Sequence, residues 1–191
     1  MQRRAAFYGA LLSVTAAATA AIGAPMAQAE EGSFPRLHGG ALVGGGFANA
    51  GSTWVGGVAM EGALGARFAE GFTIDATLML ENCLFCGRSN VGAIASFEPG
   101  RVLLLGLGGG VGGLYFLRFG YGPNTASYGF GVARAALRFD HDRGGVLLVG
   151  ADGIVGATYA GTAVDDSGFE TARPMGTLVG GGRLFFGFET E

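Results

Sequence analysis

The 191-residue chain carries 39 glycines, yet 49% of its residues are hydrophobic and only 14% charged, which is too apolar for a chain that stays unfolded in water. Its 12 basic residues are all arginine and are outnumbered by 15 acids, which argues against a nucleic-acid partner, because phosphate binding needs a basic surface. With no lysine, a P-loop lysine and a Schiff-base lysine are ruled out as well.

The chain opens with Arg3 and Arg4, runs through an apolar, alanine-rich stretch to about Ile22, and reaches Ala27-Gln28-Ala29 before Glu30-Glu31. A basic start, an apolar run and a small-residue box make a cleavable signal peptide over residues 1–29, with residues 30–191 as the mature, single domain. Removing Arg3 and Arg4 leaves 10 arginines against 15 acids, a formal charge of −5. No run of 18 uniformly apolar residues follows, so a transmembrane helix is excluded and only a closed barrel is left if the surroundings are lipid.

About eight apolar, β-compatible stretches follow, near 36–48, 54–68, 72–81, 91–98, 101–118, 128–140, 146–159 and 175–189. The second sets Trp54, Val58, Met60, Leu64, Ala66 and Phe68 against Glu61 and Arg67. In the third, Phe72, Ile74, Ala76, Leu78 and Leu80 share one face, and Thr73, Asp75, Thr77 and Glu81 the other. Such a period of two belongs to strands; a helix would scatter the carboxylates among the leucines. The sixth sets Leu137 and Phe139 against Arg134, Arg138 and Asp140, and the seventh sets Leu147, Val149, Val155 and Tyr159 against Asp152 and Thr158. In the last, Leu178, Leu184, Phe186 and Phe188 oppose Thr177, Arg183 and Glu189.

The connections are expected to alternate in length: longer at 49–53, 82–90, 119–127 and 160–174, shorter at 69–71, 99–100 and 141–145. Outer-membrane barrels sort short turns to the periplasm and longer loops outside. Ala69-Glu70-Gly71, Glu98-Pro99-Gly100 and 140–145 have turn chemistry, and proline stays outside every proposed strand.

On the signal segment, the alternation and the loop pattern, the whole mature chain resembles the small outer-membrane β-barrel superfamily. That group includes the OmpA transmembrane domain and the OmpX-like and OmpW-like proteins. The last strand is similar too, with Leu184, Phe186 and Phe188 alternating as in the segment read by the outer-membrane assembly machinery; Glu189-Thr190-Glu191 depart from the usual aromatic end. The resemblance implies an all-β, closed, antiparallel up-and-down transmembrane barrel in a Gram-negative-type outer membrane. Outer-membrane lipid, lipopolysaccharide and the assembly machinery are then its surroundings and partners.

In such a barrel Glu61, Arg67, Asp75, Arg134, Arg138, Asp152 and Arg183 form a lumen ion-pair network that neutralises itself and fixes strand register, and Gly106, Gly108, Gly110 and Gly112 make room for the arginines. Cys83 and Cys86 are expected in a loop, as a disulfide clip. Gly108-Gly109-Gly110-Val111-Gly112-Gly113 fits a dinucleotide fingerprint, but a β-like run follows where a helix is needed. Trp54, Tyr115, Tyr121, Tyr128 and Tyr159 are expected in an external aromatic belt, with Phe68, Phe72, Phe97 and Phe139 in a periplasmic one. The leading reading is a non-enzymatic barrel, without cofactor or metal, that presents its loops, above all 160–174 with Asp165, Asp166 and Glu170, to an external partner. An exported soluble ligand-binding barrel would need an apolar interior. A lipid-modifying enzyme would need a histidine near the external face, and His38 and His141 both fall at the other end.

Overall fold

The structure, a computed structural model, describes residues 35–51, 53–83, 85–117, 123–141, 145–164 and 170–190; the expected signal segment 1–29 lies outside them. Eight long strands run in sequence: β1 (Arg36–Ala50), β2 (Thr53–Ala69), β3 (Phe72–Asn82), β4 (Cys86–Phe97), β5 (Leu103–Leu117), β6 (Pro123–His141), β7 (Gly145–Ala160) and β10 (Leu178–Thr190). Each pairs antiparallel with the next, and β1 pairs with β10, so the sheet closes into a barrel. Closure leaves no unpaired edge. Between β7 and β10, β8 (Thr162–Val164) and β9 (Glu170–Ala172) form a separate two-stranded hairpin. No helix occurs among the described residues.

The alternation read from the sequence sorts the side chains. On β3, Phe72, Ile74 and Ala76 are exposed while Thr73, Asp75, Met79 and Glu81 are buried. On β6, Arg134, Ala136 and Arg138 are buried between exposed Leu137 and Phe139. Charged and polar side chains therefore turn inward, interleaved with two apolar clusters, while apolar ones coat the outside, the reverse of a water-soluble barrel. Some backbone on the outer face is shielded by rings: a Cβ at Gly145 would lie 2.0 Å from the Phe188 ring, and one at Gly87 would lie 2.5 Å from that of Tyr115.

The length asymmetry of the connections holds only in part. The end carrying 70–71, 98–102 and 142–144 is the turn end; the other, the loop end, carries 51–52, 83–85, 118–122 and 161–177, and only the last of these is long. The expected loops at 82–90 and 119–127 are instead largely strand, because β4 begins at Cys86 and β6 at Pro123. Polar residues here look like loop in sequence but find partners on other strands: Tyr128 donates to Asn90 at 2.6 Å, and Arg88 pairs with Glu81 directly opposite on β3. Pro123 opens its strand, where a missing N–H is tolerated. At the shortest turns, Gly51 (φ 60°) and Gly71 (φ 74°) supply the left-handed conformation.

Candidate functional site

Four charged side chains from four strands meet in the middle of the lumen. Arg134 (β6) donates from Nε to Asp152 Oδ1 at 2.8 Å, and from Nη2 to Asp152 Oδ2 at 3.0 Å and Glu61 Oε1 at 2.7 Å. Arg183 (β10) donates from Nη2 to Glu61 Oε2 at 2.6 Å and also to Asp152. Register supplies half of this: Asp152 on β7 lies directly opposite both Arg134 and Arg183, while Glu61 reaches in from β2. All four are buried. Two cations against two anions leave no net charge, which is what makes such burial tolerable. The Phe185 ring lies 5.0 Å from the Arg134 guanidinium carbon and 5.2 Å from that of Arg183, a cation–π pairing on each.

The remaining predicted lumen charges gather at the turn end. Arg67 and Arg138 converge on Glu98 Oε1 at 3.0 and 2.5 Å, and Arg138 also reaches Asp140 at 3.0 Å. Asp75 bonds His38 Nε2 at 2.6 Å, joining β3 to β1 over β2. The intervening position is Gly65, where a Cβ would lie 2.1 Å from Asp75 Oδ1. Between this layer and the central four sits an apolar one of Leu42, Leu104, Ala136, Val146, Leu148 and Phe185.

Towards the loop end come the two pairs that sequence reasoning missed. Glu81–Arg88 joins β3 and β4, and Tyr128–Asn90 joins β6 and β4. Tyr128, expected in the external belt, is wholly buried and points inward, because it shares the parity of Arg134 six residues on. Around it pack Ala50, Val55, Cys86, Leu114, Ala126 and Val179. Cys83 and Cys86 are joined as a disulfide with Cα atoms 5.0 Å apart. Cys86 is the first residue of β4 rather than part of a loop.

The last connection is fastened across the loop-end mouth. Buried Arg173 donates to the carbonyl of Ala50 on β1 at 2.7 Å and to that of Thr125 on β6 at 3.0 Å. Its own N–H bonds Gly161 O at 2.9 Å. Asp165 and Asp166 lie outside the described residues, and so does Tyr121.

Outside, every one of the eight barrel strands exposes large apolar side chains. Trp54 and Tyr159 are exposed at the loop end, with Phe47 6.1 Å from Trp54 between ring centroids; Phe68, Phe72, Phe97 and Phe139 are exposed at the turn end. The expected lumen role of the β5 glycines is corrected. Only Gly106 abuts an arginine, 3.3 Å from Arg134 Cβ, while a Cβ at Gly108 or Gly110 would strike β4 backbone oxygens at 2.1 and 2.0 Å, and one at Gly112 the Asn90 and Tyr128 side chains. These glycines let neighbouring strands and a lumen tyrosine come close. The dinucleotide-like stretch 108–113 lies wholly inside β5, with strand after it.

His38 Nδ1 has no hydrogen-bond partner among the described residues, so no described hydroxyl is aligned on it as a nucleophile. No group of three or more described His, Cys, Asp or Glu residues is placed to hold a metal ion.

No family profile matches the chain and no curated protein matches it. Solved structures do. Neisserial surface protein A superposes with a TM-score of 0.53 at 12% identity, over 81% of this chain and 96% of that one. The attachment invasion locus protein Ail of Yersinia pestis follows at 0.42 and 15%, over 80% and 97%. The N-terminal β-barrel domain of Pseudomonas aeruginosa OprF follows at 0.40 and 12%, over 78% and 96%. The chain thus has the fold of the small eight-stranded outer-membrane barrels, and the first of these likenesses carries that statement.

Proposed function

We propose that this chain is an outer-membrane β-barrel whose lumen is sealed by its own side chains and whose role lies in its outer surface and loops, without catalysis. The observation that carries the reading is the inverted sorting: an apolar outer face around a lumen crossed by the Glu61, Arg134, Asp152 and Arg183 cluster. An eight-stranded barrel has an interior just wide enough for side chains to fill. Outer-membrane lipid and lipopolysaccharide are its surroundings, the assembly machinery is its route in, export through segment 1–29 precedes it, and an external partner meets the last connection.

Inward charge counts against a soluble ligand-binding barrel. Against a lipid-modifying enzyme stands the position of His38, at the turn end and bonded to Asp75. The test is to express the full chain, fractionate the envelope, and compare gel mobility with and without boiling before measuring solute uptake in vesicles. Recovery in the outer membrane, a heat-shifted band and no sugar-driven vesicle swelling are expected. A soluble periplasmic product would overturn the membrane assignment, and swelling would overturn the sealed lumen.

A further inference from the structure

The segment joining β9 to β10 holds an exposed apolar side chain still. Met175 is 78% exposed, more than any other large apolar residue described, and the backbone on both sides of it is pinned. On one side stands the Arg173 anchor to Ala50 and Thr125. On the other, Thr158 of β7 accepts from Gly176 N at 2.8 Å through its carbonyl and from Thr177 N at 3.1 Å through its hydroxyl, which itself donates to Pro174 O at 2.9 Å. A tethered turn that presents methionine outward needs something apolar to meet it, since exposure in water has no compensating freedom here.

What meets it is indicated by its neighbours. Leu178, three residues on, and Tyr159, next in chain to the Thr158 that holds the turn, are exposed too, as are Val155 and Leu184 further along β7 and β10. The sequence has no Asp, Glu, Arg, Lys or His from Gly153 to Ala163 or from Pro174 to Gly182. A protein-docking patch carries a polar rim; this one merges with the face already assigned to lipid, and Tyr159 has the amphipathic ring suited to the headgroup level. We propose that Pro174–Leu178, together with Tyr159, is a lipid anchor that sinks into the boundary between headgroups and acyl chains and ties the last connection to the membrane on its β7–β10 side. The inference rests on the membrane reading above.

The test uses Trp54, the chain's one tryptophan, as an internal control. The unmodified protein and the double variant W54F/M175W are reconstituted into phosphatidylcholine vesicles brominated either near the headgroup or deep in the acyl chain, after the heat-shift assay has verified folding. The M175W indole is expected to emit in the blue and to lose roughly half its fluorescence to shallow bromines, as partial insertion at the interface implies, with less lost to deep ones. Should Trp54 be quenched while the M175W indole emits as in water, the anchor is overturned and the membrane reading stands. If neither is quenched, both fall. Where M175W impairs folding, L178W in the same background supplies the same readout.

Discussion

Replacing Asp152 by asparagine removes one charge from the centre of the lumen without changing the side-chain shape. Asp152 accepts Arg134 Nε at 2.8 Å, Arg134 Nη2 at 3.0 Å and a third bond from Arg183. Asparagine offers a single oxygen and turns an N–H donor towards guanidinium donors, so at least one contact becomes repulsive and the cluster is left with one uncompensated positive charge. Breaking a buried, paired charge in this way costs about 3–5 kcal/mol, or roughly two to three and a half powers of ten in the unfolding constant. The measurement is equilibrium urea unfolding in lipid vesicles, followed by Trp54 fluorescence and by the heat-shifted band. D152N/R183M restores neutrality and should recover most of the loss, since replacing both members of a buried ion pair by uncharged residues of similar volume is often neutral. A cost below about 1 kcal/mol for D152N alone would refute the reasoning. Coulomb interactions that weak belong to a water-filled lumen, and the sealed-barrel reading would go with them.

Three further outcomes are expected. Gly44 faces the lumen at the β1–β10 closure, where a Cβ would lie 2.0 Å from Leu184 O, whereas Gly62 has nothing within 4 Å. Gly44→Ala should therefore cost about 1–3 kcal/mol from forced backbone shifts, while Gly62→Ala should be neutral or gain up to about 1 kcal/mol; paired urea curves check both. The disulfide closes only the short Cys83–Cys86 loop, so reduction should cost no more than about 2 kcal/mol on the chain-entropy estimate and leave the heat-shifted band in place. Arg173→Gln gives up charge-assisted bonds to two carbonyls, worth about 1.5 kcal/mol or more each. Proteinase K added outside intact vesicles should then cut the last connection at least about tenfold faster, and an unchanged rate would show that the Thr158 contacts hold it alone.

What could be read from the sequence was parity; what could not was where strands stop. On β2, β3, β6, β7 and β10 a mid-strand charge marks the inner face and its neighbours the outer, so each side chain's direction follows from one residue. Strand ends carry no such mark. Residues 82–90 read as loop because Asn82, Ser89 and Asn90 are polar and Gly87 breaks the pattern, although all but 83–85 lie in strands. One signal was available: Cys83 and Cys86 are symmetric about the hairpin centre, and counting outward pairs Asn82 with Gly87 and then Glu81 with Arg88, the register observed. Tyr128 reads as part of the outer belt from its nearness to a strand end, although its parity with Arg134 points it inward. The grouping of seven inward charges into separate clusters depends on strand tilt and on glycine clearances, and neither is written in a linear pattern.

The lumen contacts also bear on why so polar an interior belongs with so apolar an outside. Register in a sheet is enforced when a one-residue slip moves a buried set of side chains to the wrong face. If the outer side faces lipid, as proposed, it discriminates weakly, because alanine, glycine and leucine are all acceptable there. The inner side discriminates strongly. A slip on β7 would turn Asp152 to the apolar outer face and leave Arg134 and Arg183 without it, and in the proposed membrane setting a charge at the bilayer centre costs several kcal/mol. Glu61 bonds to strands that are not its neighbours in the barrel, so it constrains closure as well as local pairing. In a glycine-rich barrel whose strands could otherwise slide, inward charges fix which residues face each other, and their pairing is what makes burying them tolerable.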